Sequence, residues 1–362
     1  AVAQPAVGRL RVLLADDEQA VREVLVKVGG AGLCHSDLSL VNGDRPRPTP
    51  VVLGHEGSGE IVEVGKGVHD VKAGDHVCFT FNVSCGRCRR CLEGRPYICE
   101  RSVTPRAAGQ LLSGHHRLHL DGKPVNHQSG VSCYAEYAVV DRGSIVVIDK
   151  SLPLDLAALF GCAVVTGVGA VVNTGRIEAG STVAVVGLGG VGLSGLLGAV
   201  LAGASQIVAI DLSDEKLGLA RQLGATHTVN ARDADHVKQV RDLTNGGVDY
   251  AFDLAGTIKS METAYLVTRW GGTTVSAGLS PIGANFSFAQ SGLVSEEKTI
   301  KGSYMGSCVP VRDIPRFIAL YQQGKLPVDR MVSQRIGFGE INAGFDRLQD
   351  VATVRQILVP HG

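Results

Sequence analysis

"VAVVGLGGVGLSG", residues 183–195, is an apolar run that breaks into closely spaced glycines and then turns apolar again. A buried strand, a tight turn and a buried helix account for that order. Gly187, Gly189 and Gly192 stand at the G-x-G-x-x-G spacing, with Gly190 between the last two. The first glycine permits the turn and the second lets backbone amides approach a pyrophosphate. The third lets the helix pack closely on the strand, with its N-terminus towards the phosphates. In a chain with 47 glycines, an ordinary strand–helix turn is the competing reading. The next strand decides between them. "IVAID" ends in Asp211, at the separation expected of the carboxylate that holds the adenosine ribose of a dinucleotide. A carboxylate there repels a 2′-phosphate, and "DLSDEK" brings no arginine beside it, so NAD is expected rather than NADP.

The same region imitates a membrane span, since Val183 to Ala204 carries no charge and is long enough to cross a bilayer. Its seven glycines and the immediate return to "QIVAIDLSDEK" fit a strand, a turn and a helix better. Further on, "THTVN", "DYAFDLAG" and "GGTTVSAGLS" continue an alternation of short apolar strands with helices, which implies a parallel sheet covered on both faces. Towards the N-terminus the pattern differs. From about Arg9 to Gly161, β-type runs ("EVLVKVGGAG", "GEIVEVG", "GDHVCF", "YAEYAVV") alternate with glycine-rich turns, as in an irregular, mostly β domain. At 362 residues, two domains are the default expectation.

Lys+Arg and Asp+Glu both number 35, a balance that argues against nucleic acid or an anionic membrane as the main partner. The first residues lack a basic start followed by an apolar core, so a cytoplasmic location is expected, and the nine cysteines should be reduced thiols.

Four of those cysteines crowd into residues 83–100, where Cys85, Cys88, Cys91 and Cys99 form C-x2-C-x2-C-x7-C. Four thiolates close a tetrahedron around zinc with no open position, the structural type of site. A thioredoxin-like redox pair leaves two cysteines without a role, and the iron–sulfur run of bacterial ferredoxins is tighter and ends in Cys-Pro. A reactive site has to come from elsewhere. "GLCHSDLS" (32–39) and "GHEGSGEIVEVG" (54–65) bring Cys34 and His55, both typical zinc ligands, with Glu56 next to His55. Cys162 lies in "LFGCAVVTGVGA", just before the dinucleotide motif. Three protein ligands leave a fourth position open to water or substrate, the catalytic arrangement. Taken singly, each has a plainer reading, as a small core residue or a hydrogen-bonded turn histidine.

Together, "GLCHSDLS", "GHEGSGEIVEVG", the four-cysteine lobe, "GCAVVTGVGA", "VGLGGVGLS" and "ATVRQIL" follow the order and spacing of one family. Over nearly its whole length the chain resembles the zinc-containing medium-chain alcohol dehydrogenases. The resemblance implies an α/β architecture: a GroES-like, mostly β catalytic domain at 1–163, with a structural zinc lobe at 83–100, and a Rossmann NAD-binding domain with a doubly wound parallel sheet at 164–303. Residues 304–362 are then expected to return to the catalytic domain.

By position the resemblance makes Cys34, His55 and Cys162 the catalytic zinc ligands, with Glu56 behind the metal. The structural zinc brings the total to two per chain. Ser36 takes the alcohol's proton, His35 and Arg355 contact the cofactor pyrophosphate, and Asp211 and Lys216 hold its ribose. Gly190 belongs to the cofactor loop, and Thr166 and Val191 flank the nicotinamide. Phe81 lines the substrate pocket. Arg45, Thr104, Gln128 and Ser129 fall at pocket positions that are apolar in ethanol-type members, so an aromatic or polar-substituted alcohol or aldehyde is expected. Cys78, Cys133 and Cys308 match no ligand position and read as structural.

Two departures stand out. Many members end their proton relay on a histidine where this chain has Ser39, which leaves a shorter relay or an exit through His35. The glutathione-linked formaldehyde branch has an acidic residue and an arginine where this chain has Arg45 and Val103, which disfavours a glutathione adduct. The segment from Glu100 to Gly130 has the length seen in the dimeric branch, so a homodimer is expected. Rival readings are an aldehyde dismutase or dye-linked dehydrogenase that keeps its NAD(H) bound, and a non-catalytic superfamily member. The latter type tends to lose zinc ligands, and all seven remain here.

Asp211 supplies a direct test of cofactor choice. Asp211→Gly is expected to weaken NAD and to improve NADP relative to it, measured as the ratio of kcat/KM for the two cofactors. A wild type that already prefers NADP overturns this reading of Asp211.

Overall fold

The computed structural model describes residues 11–12, 22–349 and 353–361. Two compact units divide the chain. One comprises the described residues up to Gly32 together with Pro46–Ala158 and the residues from Leu358. The other comprises Leu33–Arg45 and Leu159–Ile357.

In the second unit, strands Thr182–Val186, Gln206–Asp211, His227–Asn230, Val248–Asp253, Thr268–Ser276 and Thr299–Gly302 form one six-stranded sheet. Every pairing given for it is parallel. In order along the chain the strands are arranged 3-2-1-4-5-6, the doubly wound pattern with its switch point between the first and fourth strands. Helices Gly190–Leu201, Asp214–Gln222, His236–Leu243 and Ile258–Val267 connect them. Burial explains the composition. Val183, Ala184, Val185, Val208, Ala209, Ile210, Ala251 and Phe252 are fully buried, so these strands read as continuous apolar runs rather than alternating ones. The stretch that imitates a membrane span is the strand Thr182–Val186 followed by the helix Gly190–Leu201. No single described helix is long and apolar enough to cross a membrane. The broken pair Leu154–Gly161 and Ala163–Gly175 reaches that length and composition only together.

The first unit is built on antiparallel strands. Glu23–Gly32 pairs on one side with Gly57–Val64 and on the other with Tyr137–Asp141. Gly57–Val64 continues to His76–Phe79, which pairs with Ile145–Val147. Here alternation is visible: Val24, Val26 and Val28 are buried while Lys27 is exposed. Glycines permit close approaches within this sheet. A Cβ at Gly30 would lie 2.5 Å from Asp155 Cα, and one at Gly59 would collide with the carbonyl of Lys27. A smaller sheet joins Arg11–Val12, Leu118–Leu120, Lys123–His127 and Val51–Val52.

His127 ends the strand Lys123–His127 and is 2% exposed, with its Nε2 accepting the backbone N–H of Arg117 at 3.1 Å. Burial, and then the charges of His116, Arg117 and His119, pushes its pKa down to about 3. The unfolded chain therefore takes up a proton near the ordinary histidine value that the folded chain refuses. Stability is full above pH 6.5 and falls by about 1.4 kcal/mol per unit as the pH drops towards 3. Urea midpoints measured across this window should fall steeply for the wild type and less steeply for His127→Gln. Equal slopes would remove His127 from the acid response.

Candidate active site

The lobe at 83–100 brings its four thiols together. Cys88 Sγ lies 3.5 Å from Cys91 Sγ and 3.9 Å from Cys99 Sγ, and Cys85 Sγ lies 4.0 Å from Cys91 Sγ. Backbone N–H groups of Arg87 and Cys88 point at Cys85 Sγ, and that of Cys85 at Cys99 Sγ, as expected around thiolates. Burial works against ionisation of Cys88, but N–H groups of Cys91 and Glu100 and the neighbouring thiols outweigh it and bring its pKa down to about 6. Cys91 is pushed up to about 12 by burial first and then by the thiols of Cys88 and Cys99. One thiolate thus forms at the expense of the next. All four ionise together only around a cation, and the tetrahedral sulfur set fits zinc. Asn82 holds the root of the lobe. Its Nδ2 donates to the Tyr97 carbonyl and its Oδ1 accepts from Arg106, both at 2.6 Å.

Cys34 follows the strand Glu23–Gly32 and N-caps the helix His35–Val41. Asp37, fully buried, closes a capping box with it: the Cys34 N–H donates to Asp37 Oδ2 at 3.3 Å and the Asp37 N–H to the Cys34 carbonyl at 3.0 Å. The cap fixes the thiol and places His35, exposed, and Ser36, half-buried, on the first turn. Ser39 spends its hydroxyl on the His35 carbonyl at 2.9 Å. Cys162 is likewise the N-cap of a buried helix, Ala163–Gly169, and is 6% exposed.

His55 is placed by a backbone zipper. The Cys133 N–H donates to the Gly54 carbonyl and the Tyr134 N–H to the Leu53 carbonyl, each at 3.0 Å. Gly54 has φ +97° and a Cβ there would lie 2.5 Å from Tyr134 N, so only glycine fits. The His55 ring is 3% exposed and meets Phe81 edge to face at 5.9 Å between centroids. Its Nδ1 lies 3.4 Å from Gln128 Nε2. Glu56 is fully buried against Gly32, where any side chain would collide with its carboxylate. The thiols of Cys34 and Cys162 lie within 4.8 Å of each other in one unit, and both residues are buried, as is His55 in the other. Two sulfurs and one imidazole nitrogen suit zinc with an open fourth position.

The glycine loop has the geometry that a dinucleotide needs. Gly187 has φ +90° and packs against Ala255, and a Cβ at Gly192 would strike the Gly187 carbonyl. A Cβ at Gly189, by contrast, would enter open space at the helix N-terminus. Gly190 leaves room for the Arg355 guanidinium, whose Nη1 donates to the Leu33 carbonyl at 3.1 Å. His35, though its surface is partly open to solvent, is held below its ordinary pKa by desolvation from the surrounding protein first and then by the charges of Arg355 and Lys216, against the opposing pull of Cys34. His35, Lys216 and Arg355 therefore share one electrostatic neighbourhood that an anion would relieve. Asp211 braces the loop, with Oδ2 accepting from Leu188 N at 2.6 Å and Oδ1 from Ser213 N at 2.9 Å. The buried Thr166 Oγ1 has no hydrogen-bond partner among the described residues. Gly167 brings its helix against Val191, since a Cβ there would collide with the Val191 carbonyl. An orphaned hydroxyl beside a glycine-rich helix start fits a polar cofactor.

The four polar pocket positions separate. Gln128 is buried and tied to Gly54 and His55, and Ser129 is half-buried at φ +55°. Arg45 is half-buried and donates to the Ser280 carbonyl at 3.2 Å, while Thr104 is exposed on the short helix Val103–Ala107. Cys78, Cys133 and Cys308 are fully buried, and burial raises the thiols of Cys78 and Cys308 far above the usual range. Sequence reasoning did not find the Asp37 cap or the Gln128–His55 contact. The Asp37 cap had a local signal, a carboxylate three residues after Cys34, whereas the other pair is 73 residues apart and had none.

Comparison with known proteins agrees with this architecture. Residues 20–150 match the alcohol dehydrogenase GroES-like domain and residues 190–323 the zinc-binding dehydrogenase domain. The chain is 41% identical over 341 residues to a Mycobacterium tuberculosis protein named "Putative alcohol dehydrogenase D", covering 93% of this chain and 92% of that one. It is 35% identical over 347 residues to an S-(hydroxymethyl)glutathione dehydrogenase of Paracoccus denitrificans, with coverage of 93% and 92%. The crystal structure of benzyl alcohol dehydrogenase from Acinetobacter calcoaceticus superposes with a TM-score of 0.90 at 34% identity, covering 97% of this chain and 94% of that one. Fold and site define an oxidoreductase of the alcohol dehydrogenase type, a GroES-like domain with a Rossmann-like parallel sheet. The chain belongs to the zinc-containing medium-chain dehydrogenase family.

Proposed function

We propose that this chain is an NAD- and zinc-dependent alcohol dehydrogenase that interconverts an aromatic or polar-substituted alcohol, primary or secondary, and its aldehyde or ketone. The observation that carries the reading is that Cys34, His55 and Cys162, at the ligand positions the family resemblance implies, are all buried, with the two thiols close together, in a chain of this family. Zinc held by these three would supply Lewis acidity to the alcohol oxygen, and NAD would supply the hydride acceptor. The remaining work falls to the chain. Ser36, on the turn that Cys34 caps, takes the alcohol's proton, and His35 beside it offers the way out, since Ser39 is occupied with the His35 carbonyl. Glu56 stands behind the ligands as a buried carboxylate. His35 and Arg355 bind the pyrophosphate together with the N–H groups of the Gly187–Gly192 turn. Asp211 and Lys216 hold the ribose, and Thr166 and Val191 flank the nicotinamide. The carboxylate of Asp211 favours NAD over a 2′-phosphorylated cofactor.

The same reading assigns residues 1–163 and 304–362 to the catalytic domain and 164–303 to the NAD-binding domain, in a cytoplasmic homodimer. The four-cysteine lobe holds a second, structural zinc. Metal analysis of undamaged, chelator-free protein should return two zinc ions per chain, and one or none would sink this part of the proposal. Cys162→Ala should abolish turnover with the fold intact, whereas Cys91→Ala should lower thermal stability, because a structural zinc contributes folding free energy.

Support for the substrate class comes from the Phe81 ring against His55, from the polar positions Arg45 and Ser129, and from the benzyl alcohol dehydrogenase neighbour. Arg45 and Val103 replace the pair that the glutathione-linked branch carries, which speaks against the glutathione adduct named for the Paracoccus relative. Aromatic or oxygen-bearing alcohols should exceed ethanol in kcat/KM by an order of magnitude or more. A single hydrogen bond to a charged group, roughly 1.5–3 kcal/mol, is enough for that. A panel followed by NADH absorbance tests it: ethanol or short alkanols emerging as the best substrates would refute it. An unchanged ranking in Arg45→Ala would remove Arg45 from the account.

A further inference from the structure

We propose that Asp253 is a positioning residue for the dinucleotide crevice, holding the loop 254–257 beside the glycine turn by the hydrogen bonds its carboxylate accepts. The inference rests on the reading of the 187–192 turn as the cofactor loop. In a sheet ordered 3-2-1-4-5-6, ligands bind outside the carboxyl ends of the strands, where the first and fourth meet. Those two strands are Thr182–Val186 and Val248–Asp253. Val186, Asp253 and Ser276 are partners in the register, and each is the last residue of its strand. The segments that follow them are closely packed. A Cβ on Gly187 would lie 2.5 Å from the Ala255 Cβ, and one on Gly256 would lie 2.7 Å from Leu279 N. The Leu254 N–H donates to the Val186 carbonyl at 2.9 Å. A loop set this tightly against the glycine turn forms the neighbouring wall of the crevice.

Asp253 anchors that wall from beneath. It is 1% exposed, whereas Ala255 and Thr257 above it are exposed. Its Oδ1 accepts the N–H groups of Ala255 and Gly256, each at 3.3 Å, and the Ser260 hydroxyl at 2.7 Å. Its Oδ2 accepts the Ser276 hydroxyl at 2.8 Å. A carboxylate only accepts, so both hydroxyls have to turn their protons to it. One side chain thus joins its own loop, the helix Ile258–Val267 and the end of the strand Thr268–Ser276. Asp211 does the same on the other flank of the glycine turn, through Leu188 N and Ser213 N. An apolar residue at 253 would leave two amides and two hydroxyls without this acceptor, and the loop would hold its place for only part of the time. Cofactor affinity then falls with the fraction of chains that are competent to bind. Asparagine keeps an oxygen for three of the four donors, and its NH2 can donate to Ser276 Oγ, which accepts as well as it donates.

Titration of the full chain with NADH, followed by the fluorescence of the bound cofactor at a temperature where every variant is folded, reads this without turnover. Asp253→Ala should raise the Kd for NADH about 10–100-fold, while Asp253→Asn stays within about threefold of wild type. The KM for benzyl alcohol, and kcat at saturating NAD, should stay within about threefold in both variants. If the alanine variant does not fold, Asp253→Val takes its place with the same expectations. A wild-type Kd in the apolar variant, even with a lowered Tm, makes Asp253 a stabilising residue only and overturns the proposal. So does an asparagine variant that binds as weakly as the alanine one, or a KM for the alcohol that rises as far as the Kd for NADH. Wild-type protein that binds neither NADH nor NADPH refutes the underlying reading of the glycine turn instead.

Discussion

The approach of Gly54 to Tyr134 is closer than any side chain would permit, and the placing of His55 depends on it. With φ at +97° and a Cβ position 2.5 Å from a backbone nitrogen, residue 54 has to be glycine. The carbonyls of Leu53 and Gly54 then take the N–H groups of Tyr134 and Cys133, which fastens "LGH" to the segment that carries Gln128. A histidine next to such a joint has little freedom in its backbone, and the edge of Phe81 and the amide of Gln128 confine its ring. A histidine held this way has its ring set in place before any ligand arrives.

Glycine serves the dinucleotide side by the same logic of close approach. The Gly187 carbonyl, the Arg355 guanidinium and the Val191 carbonyl all lie where side chains on Gly192, Gly190 and Gly167 would have to be. The loop is thus packed on all sides except at Gly189, where space is open beside the helix N-terminus. Cationic groups gather there: Lys216 and Arg355 both depress the charged form of His35. Mutual repulsion among them is a cost in the protein alone that a bound anion would offset. Asp211 has two tasks that do not conflict, bracing Leu188 and Ser213 through its oxygens while standing at the end of the second strand of the sheet.

Sulfur crowding gives the four-cysteine lobe a different character. Thiols 3.5–4.0 Å apart oppose one another's ionisation, which holds Cys88 low and pushes Cys91 up, and four sulfurs so placed fit a cation with no position left open. Its arginines are largely answered locally, Arg89 and Arg90 by Glu93, at an exposed face where such pairs contribute little.

Much of this was legible in the residues alone. Parallel strands buried on both faces must be apolar throughout, and a turn that presents amides to a phosphate must be glycine, so "VAVVGLGGVGLSG" carried the fold of one unit in its composition. Thiols spaced for a tetrahedron announced the lobe in the same way, because ligands close in sequence are close in space. Ligands far apart in sequence are another matter. Cys34, His55 and Cys162 became a set through family spacing, and the approach of the Cys34 and Cys162 thiols to within 4.8 Å is a property of the folded chain. Gln128 shows the limit most clearly: the family resemblance suggested a polar pocket position, and the fold adds what no spacing could, its oxygen on Gly54 and its nitrogen beside His55. Residue type states which hydrogen bonds an amide can make. Only the tertiary structure decides which partners come within 3.5 Å, because that depends on backbone segments 73 residues apart meeting at one joint.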